Sequence, residues 1–341
     1  DNTAEISRQH GAIVYERFNN ILVGKGYAMD YVFNKIKDEQ GDYTCYDGYF
    51  VFDADNVIDV NYVREMNKVF DSGYKVVTSY RNSKNYDTNW ITAGYSLWFI
   101  REAKYLNNPR MMIKTSCAVS GTGYLVDSSI IKKNHGWKCN LLTEDIEFTV
   151  TNILDGEKVG YCGSAMFYDE QPTTFKQSWN QRMRWTKGFY QVFFTYGGHL
   201  LKSIVHFRRF AAYDLMMTIA PGMLLTLISI LANGTFMLVG SLSHGFLATD
   251  RELGMCFGSI LMTLLYMYGT FFVMGLLTTV VEYRHIHCKQ KWRIIMNLFT
   301  FPLFMFSYIP LTVAALFLKV DWVPTPHEVA VTLDEVMEGA Q

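Results

Sequence analysis

Charge is scarce in this sequence. Asp, Glu, Lys and Arg make up 18% of the 341 residues, against roughly 25% in an average globular chain. The 31 basic and 32 acidic residues nearly cancel, leaving a formal net charge of -1. That balance excludes a basic nucleic-acid binder and an acidic disordered tail. Cysteine is thinly scattered: Cys45, Cys117, Cys139, Cys162, Cys256 and Cys288 form no CxxC pair. A zinc site and a disulfide scaffold are therefore unsupported, and reduced thiols are expected. The eight histidines show no HExxH spacing. There is no GxSxG elbow, no P-loop and no dinucleotide fingerprint, and no repeat, low-complexity run or targeting peptide.

What is abundant is apolar residue, half of the chain, and the excess lies almost wholly after residue 210. Two domains are expected from length. Residues 1–174 alternate short strands and helices. Strand-like runs are Ala12–Tyr15, Tyr49–Phe52, Tyr74–Ser79 and Tyr124–Val126. Helical spacing covers Gly26–Lys37, Asn61–Asp71, Trp90–Tyr105 and Glu144–Leu154. The rhythm predicts an α/β domain with a doubly wound, mostly parallel sheet. Asp1–Thr3 reads as a turn capping Ala4–His10, with no buried strand before it. An N-terminal strand is therefore expected to be missing.

Residues 175–210 are rich in aromatic and basic side chains. Phe175–Tyr196 and His199–Phe210 read as two helices lying at a membrane surface, or as two ordinary packing helices. Leu215–Leu242 and Leu253–Val281 carry no charge, and each exceeds the roughly 20 residues that cross a bilayer. Basic residues flank the pair at Arg208 and Arg209 and at Arg284, Lys289, Lys291 and Arg293. That bias predicts a cytosolic α/β domain. A third run, Ile294–Leu318, is interrupted by Pro302 and Pro310 and re-enters or crosses. The transmembrane region is then 211–320, and 321–341 is a tail.

Three short patterns carry chemistry. Asp53-Ala54-Asp55 follows a strand, where two carboxylates can meet a divalent cation and a diphosphate together; an acidic turn capping a helix is the plainer reading. Thr143-Glu144-Asp145 opens a helix. Asp145 there is a candidate general base, and simple helix capping competes. In Gln181-Arg182-Met183-Arg184-Trp185, positions 181, 184 and 185 share a helix face. An amide and a guanidinium suit a diphosphate, and an indole suits a sugar ring; an interfacial helix with snorkelling arginines is the alternative. Two weaker features are the loop Ser120-Gly121-Thr122-Gly123 and Lys25-Gly26 at a helix entrance.

In order, DAD, SGTG, TED, QRMRW and an apolar hairpin resemble the processive inverting glycosyltransferases of family 2, the cellulose, hyaluronan and poly-N-acetylglucosamine synthases of bacteria. The resemblance covers Ala4 to about His327. It implies a cytosolic GT-A domain on a bacterial inner-membrane protein, a UDP-sugar donor (UDP-GlcNAc or UDP-glucose), a glycan acceptor and Mg2+ or Mn2+. Asp53 and Asp55 would take the metal and diphosphate. Asp145 would be the base, with Glu144 beside it. Lys25, Glu144, Gly121 and Thr122 are read from the residues themselves as further substrate-binding candidates. Gln181, Arg182 and Arg184 would steady the diphosphate, and Trp185 would stack on the acceptor. Trp322–His327 resembles the family's gating segment. Two other functions are carried forward: single transfer to a lipid or lipid-linked acceptor, and a non-enzymatic membrane scaffold.

Overall fold

The computed structural model describes residues 2–207, 209–220, 222–243, 250–323 and 330–338. Five strands form one sheet: β1 (Gly48–Val51), β2 (Val57–Ile58), β3 (Val76–Ser83), β4 (Tyr124–Asp127) and β5 (Val159–Asp169). The helices before β5 are α1 (Thr3–Gln9), α2 (Lys25–Gln40), α3 (Tyr62–Asp71), α4 (Trp90–Arg101), α5 (Asn108–Met112), α6 (Ser128–Lys133) and α7 (Glu144–Leu154). A π-helical turn, Glu102–Asn107, joins α4 to α5. After β5 come α8 (Phe175–Phe207), α9 (Phe210–Ile219), α10 (Gly222–Ser243), α11 (Asp250–Val281), α12 (Lys291–Phe306), α13 (Tyr308–Phe317) and α14 (Leu333–Glu338).

The sheet order is β1-β4-β3-β5-β2. Only β3 and β5 pair in parallel; β1–β4, β4–β3 and β2–β5 are antiparallel. The expected mostly parallel sheet is thus corrected to a mixed one. Strand order and direction are set by non-local pairing, which an alternation of elements does not encode. The C-terminal ends of β1, β3 and β5 and the N-terminal end of β4 share one edge, because Val51 opposes Tyr124 and β3 runs with β5. Most of the motif-bearing loops leave this edge. Ala12–Tyr15 forms no strand. It finds no partner, and Ile13 stays exposed.

Two expected helices merge into one. α8 runs unbroken for 33 residues through Gly197-Gly198. Two interior glycines cost about 2 kcal/mol together, which packing against α9 and α13 offsets. Lys187 Nζ donates to the Ala315 carbonyl at 2.9 Å, and Tyr190 OH donates to Thr312 O at 3.0 Å. Conversely, one expected span breaks. Leu215–Leu242 is interrupted at Ala220, whose ψ of 140° is extended. The residue before a proline is pushed out of the helical region, and Pro221 follows.

Among the described residues, two helices are long and apolar enough to cross a membrane, Gly254–Val281 and Lys291–Phe317. In the first, only 6% of the most apolar window is buried, unlike the core helix of a globular domain. The second bends at Ser307. Pro302 is tolerated inside α12, while Pro310 sits in the first turn of α13, where its missing N–H matters least. The exit of α11 is fastened to the sheet through Glu282. Its carboxylate accepts from Tyr80 OH at 2.9 Å, Lys104 Nζ at 2.9 Å and His285 Nδ1 at 2.6 Å.

Candidate active site

The C-terminal edge of the sheet borders a cavity of about 600 Å³, within the range that holds small ligands. Lys25, Asp53, Asp55, Gly121, Glu144 and Asp145 line one side. Gln181, Arg184 and Trp185 line the other. These nine residues come from five separate segments of sequence.

Local chemistry explains the placement. Lys25, the first residue of α2, donates from Nζ to Asp53 Oδ1 at 2.5 Å and to the Gly121 carbonyl at 2.7 Å. Thr122 is buried and does not line the cavity. Its hydroxyl accepts from the Asp53 N–H at 2.8 Å and donates to Asn56 Oδ1 at 2.5 Å, so Thr122 sets the DAD turn from behind. The expectation that it touches substrate is corrected: a side chain used up on the backbone of the turn has no face left for a ligand. Asp55 Oδ2 accepts from the Glu170 N–H at 3.0 Å.

Gly121 adopts φ +76°, and a Cβ there would sit 3.6 Å from Asp145 Oδ2. The loop therefore needs glycine both for its backbone and to leave the carboxylate open. Thr143 is an N-cap by position but makes no capping bond; its buried Oγ1 has no partner. The loop is held by Glu147 instead. Its two carboxylate oxygens accept from the Leu141 N–H at 2.9 Å and from Tyr196 OH at 2.8 Å. Gly188 of α8 lies against Thr143, where a Cβ would come within 2.5 Å.

On α8, neighbours in sequence part company. Arg184 and Trp185 face the cavity. The indole packs edge-on against Tyr95 at 5.7 Å and Phe99 at 6.0 Å between ring centres. Gln181 also lines the cavity, and its Oε1 is buried without a partner. Arg182 does not line the cavity and is fully buried. It donates to Phe304 O at 3.2 Å and Ser307 Oγ at 2.5 Å, and its guanidinium lies over the Phe304 ring at 4.5 Å. The expectation that Arg182 steadies a diphosphate is corrected, since its guanidinium is fully buried and bonded to Phe304 and Ser307. Arg182 braces the bend between α12 and α13.

Charge is arranged accordingly. Burial pushes Glu144 up from the ordinary carboxylate range, and the like charge of Asp145 pushes it further. Burial likewise raises Asp145. Lys25 draws both back down. Burial holds Arg184 below its usual range.

Several cavity residues carry no signal in the sequence. Arg81, near the end of β3, donates from Nε to Asp169 Oδ2 at 2.8 Å and from Nη1 to Ser120 O at 2.9 Å. Burial lifts Asp169 to about 6 against the pull of Arg81. The partner of Arg81 lies 88 residues away, beyond any local pattern. The far wall was also unforeseen: Ile219, Ala220, Met305 and Tyr308 line it, from the two helix breaks. Arg184 lies 5.7 Å from the ring of Trp322. The rest of the expected gating segment, Pro324–His327, falls outside the described residues.

Asp53 and Asp55 suit a hard divalent cation. Among the described residues no three His, Cys, Asp or Glu side chains converge as a cage. An ion at two carboxylates completes its shell with water and substrate phosphates, as Mg2+ commonly does. Each carboxylate has about four lone-pair sites, so its protein hydrogen bonds leave room.

Carboxylates, a guanidinium and an indole line one cavity, beside apolar helices. Residues 50–320 match the family model of glycosyl transferase family group 2. The chain belongs to that family. It is 34% identical over 70 residues to the probable glycosyltransferase YdaM of Bacillus subtilis (strain 168), covering 20% of this chain and 17% of that protein. It is 27% identical over 147 residues to the beta-monoglucosyldiacylglycerol synthase of Synechocystis sp. (strain ATCC 27184 / PCC 6803 / Kazusa), covering 43% of this chain and 30% of that protein. The matched stretches thus span less than a third of either relative.

Proposed function

We propose that this glycosyltransferase moves a sugar, with inversion, from a UDP-sugar to a hydroxyl at the end of a β-linked glycan, extending it processively at the cytosolic face of a bacterial membrane. The reading is carried by the convergence of Lys25, Asp53, Asp145, Gln181, Arg184 and Trp185 on one cavity. Asp145 takes the proton from the acceptor hydroxyl, whose oxygen bonds to the anomeric carbon as the bond to the diphosphate breaks. UDP leaves with the electron pair. Lys25 and Arg184 offset its growing charge. Gln181, whose Oε1 has no partner among the described residues, accepts from a sugar hydroxyl there and can donate from its amide N–H groups to the diphosphate. Trp185 gives the acceptor a flat apolar face. Asp53 and Asp55 would hold Mg2+ or Mn2+, which neutralises phosphate charge when bound.

A second reading, single transfer to a lipid acceptor, has one observation in its favour. The far wall of the cavity is apolar and formed by the breaks at Ala220 and Ser307, a route by which a lipid-borne hydroxyl could approach. The name of the Synechocystis relative points the same way.

The test is UDP release from the full-length protein in nanodiscs, with a panel of UDP-sugars and Mg2+ or Mn2+. Release with one donor, lost on chelation and in Asp145→Asn, is expected. No release with any donor from folded protein would sink the reading. A long product supports extension; a single-sugar glycolipid product supports the second reading.

A further inference from the structure

Beside Trp185 the cavity has a lobe between α4, the π turn and α9, and one charged group in it is unengaged. Trp98, Glu102, Leu106 and Arg110 all line the cavity at intervals of four residues. A regular α-helix would rotate such a series progressively off one face. The π turn over Glu102–Asn107 takes more residues per turn and keeps them aligned. π segments of this kind recur at functional sites.

Two of the three arginines that act on Glu102 are paired with aspartates elsewhere. Arg110 is bidentate on Asp214, at 2.6 Å and 3.1 Å, and donates to Thr218 Oγ1 at 2.7 Å. Arg81 is held by Asp169 and Ser120. Arg101 lies over the Trp98 ring at 4.5 Å. Glu102 has no ion-pair partner within 4.0 Å among the described residues, and no side-chain hydrogen bond ties it to the wall. Burial raises its pKa, and Arg81, Arg101 and Arg110 draw it down only from a distance. A carboxylate set among Trp98, Phe99 and Trp185 has the make-up of a carbohydrate subsite: aromatic faces with one strong acceptor for hydroxyls.

We propose that Glu102 binds the acceptor sugar through its hydroxyls and sets acceptor specificity by excluding anionic sugars. The assignment rests on the glycosyltransferase reading of the cavity and deepens it. A neutral or amine-bearing sugar gives the carboxylate the donors it lacks. A uronic acid in the same place would set two carboxylates together in a confined space, which disfavours the wrong partner strongly.

The experiment uses the full-length protein in nanodiscs. Quenching of tryptophan fluorescence is read with a neutral β-linked oligosaccharide and with one containing uronic acid, for wild type, Glu102→Gln and Glu102→Ala. UDP binding is measured alongside. Wild type is expected to prefer the neutral oligosaccharide by about tenfold or more. Glu102→Gln should keep the neutral ligand and lose that discrimination. Glu102→Ala should weaken neutral binding, with UDP affinity unchanged in both. Unaltered discrimination in Glu102→Gln, equal binding of both oligosaccharides by wild type, or binding of neither, overturns the assignment. So does a parallel loss of UDP affinity. These readouts need no turnover, so they stay separate from the UDP-release assay, which alone tests the underlying reading.

Discussion

Lys25 Nζ lies 2.5 Å from Asp53 Oδ1 while also donating to the Gly121 carbonyl. One ammonium thus joins the DAD turn to the small-residue loop, and its field reaches both Glu144 and Asp145. A point charge in that position tunes the carboxylates as well as any bound phosphate.

Replacing it should therefore act twice. Lys25→Met removes a charge that lowers both carboxylates, so the acid limb of the pH–rate profile should move to higher pH. The donor KM should rise about tenfold or more, as for a lost charge-assisted contact. An unmoved acid limb would show that Lys25 does not tune Asp145.

Glu144→Gln should move the same limb the other way. Without its like-charged neighbour the remaining carboxyl ionises at lower pH. Stability follows the same sign. A carboxyl with a raised folded pKa binds more protons folded than unfolded, so wild type loses stability as pH climbs from the ordinary carboxylate range toward neutrality. Unfolding midpoints of Glu144→Gln and wild type should match at low pH and separate in favour of the variant above neutrality. Asp145→Asn should lower transfer by about 10²-fold or more with no loss of unfolding midpoint.

Gly121→Ala tests the open face of Asp145. The methyl group would sit 3.6 Å from the carboxylate in a left-handed backbone position. Stability should fall by about 1–2 kcal/mol, and acceptor KM should rise. An unchanged KM would mean that the acceptor does not pass this loop.

Arg182 and Arg184 should part cleanly. Arg182→Met strips hydrogen bonds from Phe304 O and Ser307 Oγ and should cost about 2 kcal/mol of stability, seen as a lower unfolding midpoint in detergent. Arg184→Met should leave the midpoint and lower transfer. The reverse pattern would contradict the placement of the two guanidinium groups.

Much of the site was legible because it is local. Helix spacing put Gln181, Arg184 and Trp185 on one face; the burial of Arg182 against α12 and α13 depends on elements far away in sequence. The carboxylates of DAD and TED were found because each follows a recognisable element boundary. Arg81 and Asp169, Glu147 and Tyr196, and Glu102 were silent, since their relation depends on segments far apart in sequence or on a π turn. β5 was missed because Val159–Asp169 mixes glycine and serine into an almost fully buried strand, which shows no alternation. The sheet's mixed direction was unreadable for the same non-local reason.

The unbroken α8 has a mechanical consequence. A helix of 33 residues is a rod about 50 Å long. Gly188 rests against Thr143, roughly a quarter to half of the way along, which makes a natural fulcrum. Gln181 lies about 10 Å to one side of it, and the far end about 28 Å to the other. A sideways displacement of about 3 Å at the far end thus becomes about 1 Å at the glutamine, a distance on which catalytic alignment turns. The lateral forces that act on the distal end of the rod are in this way geared down to the scale of a chemical bond.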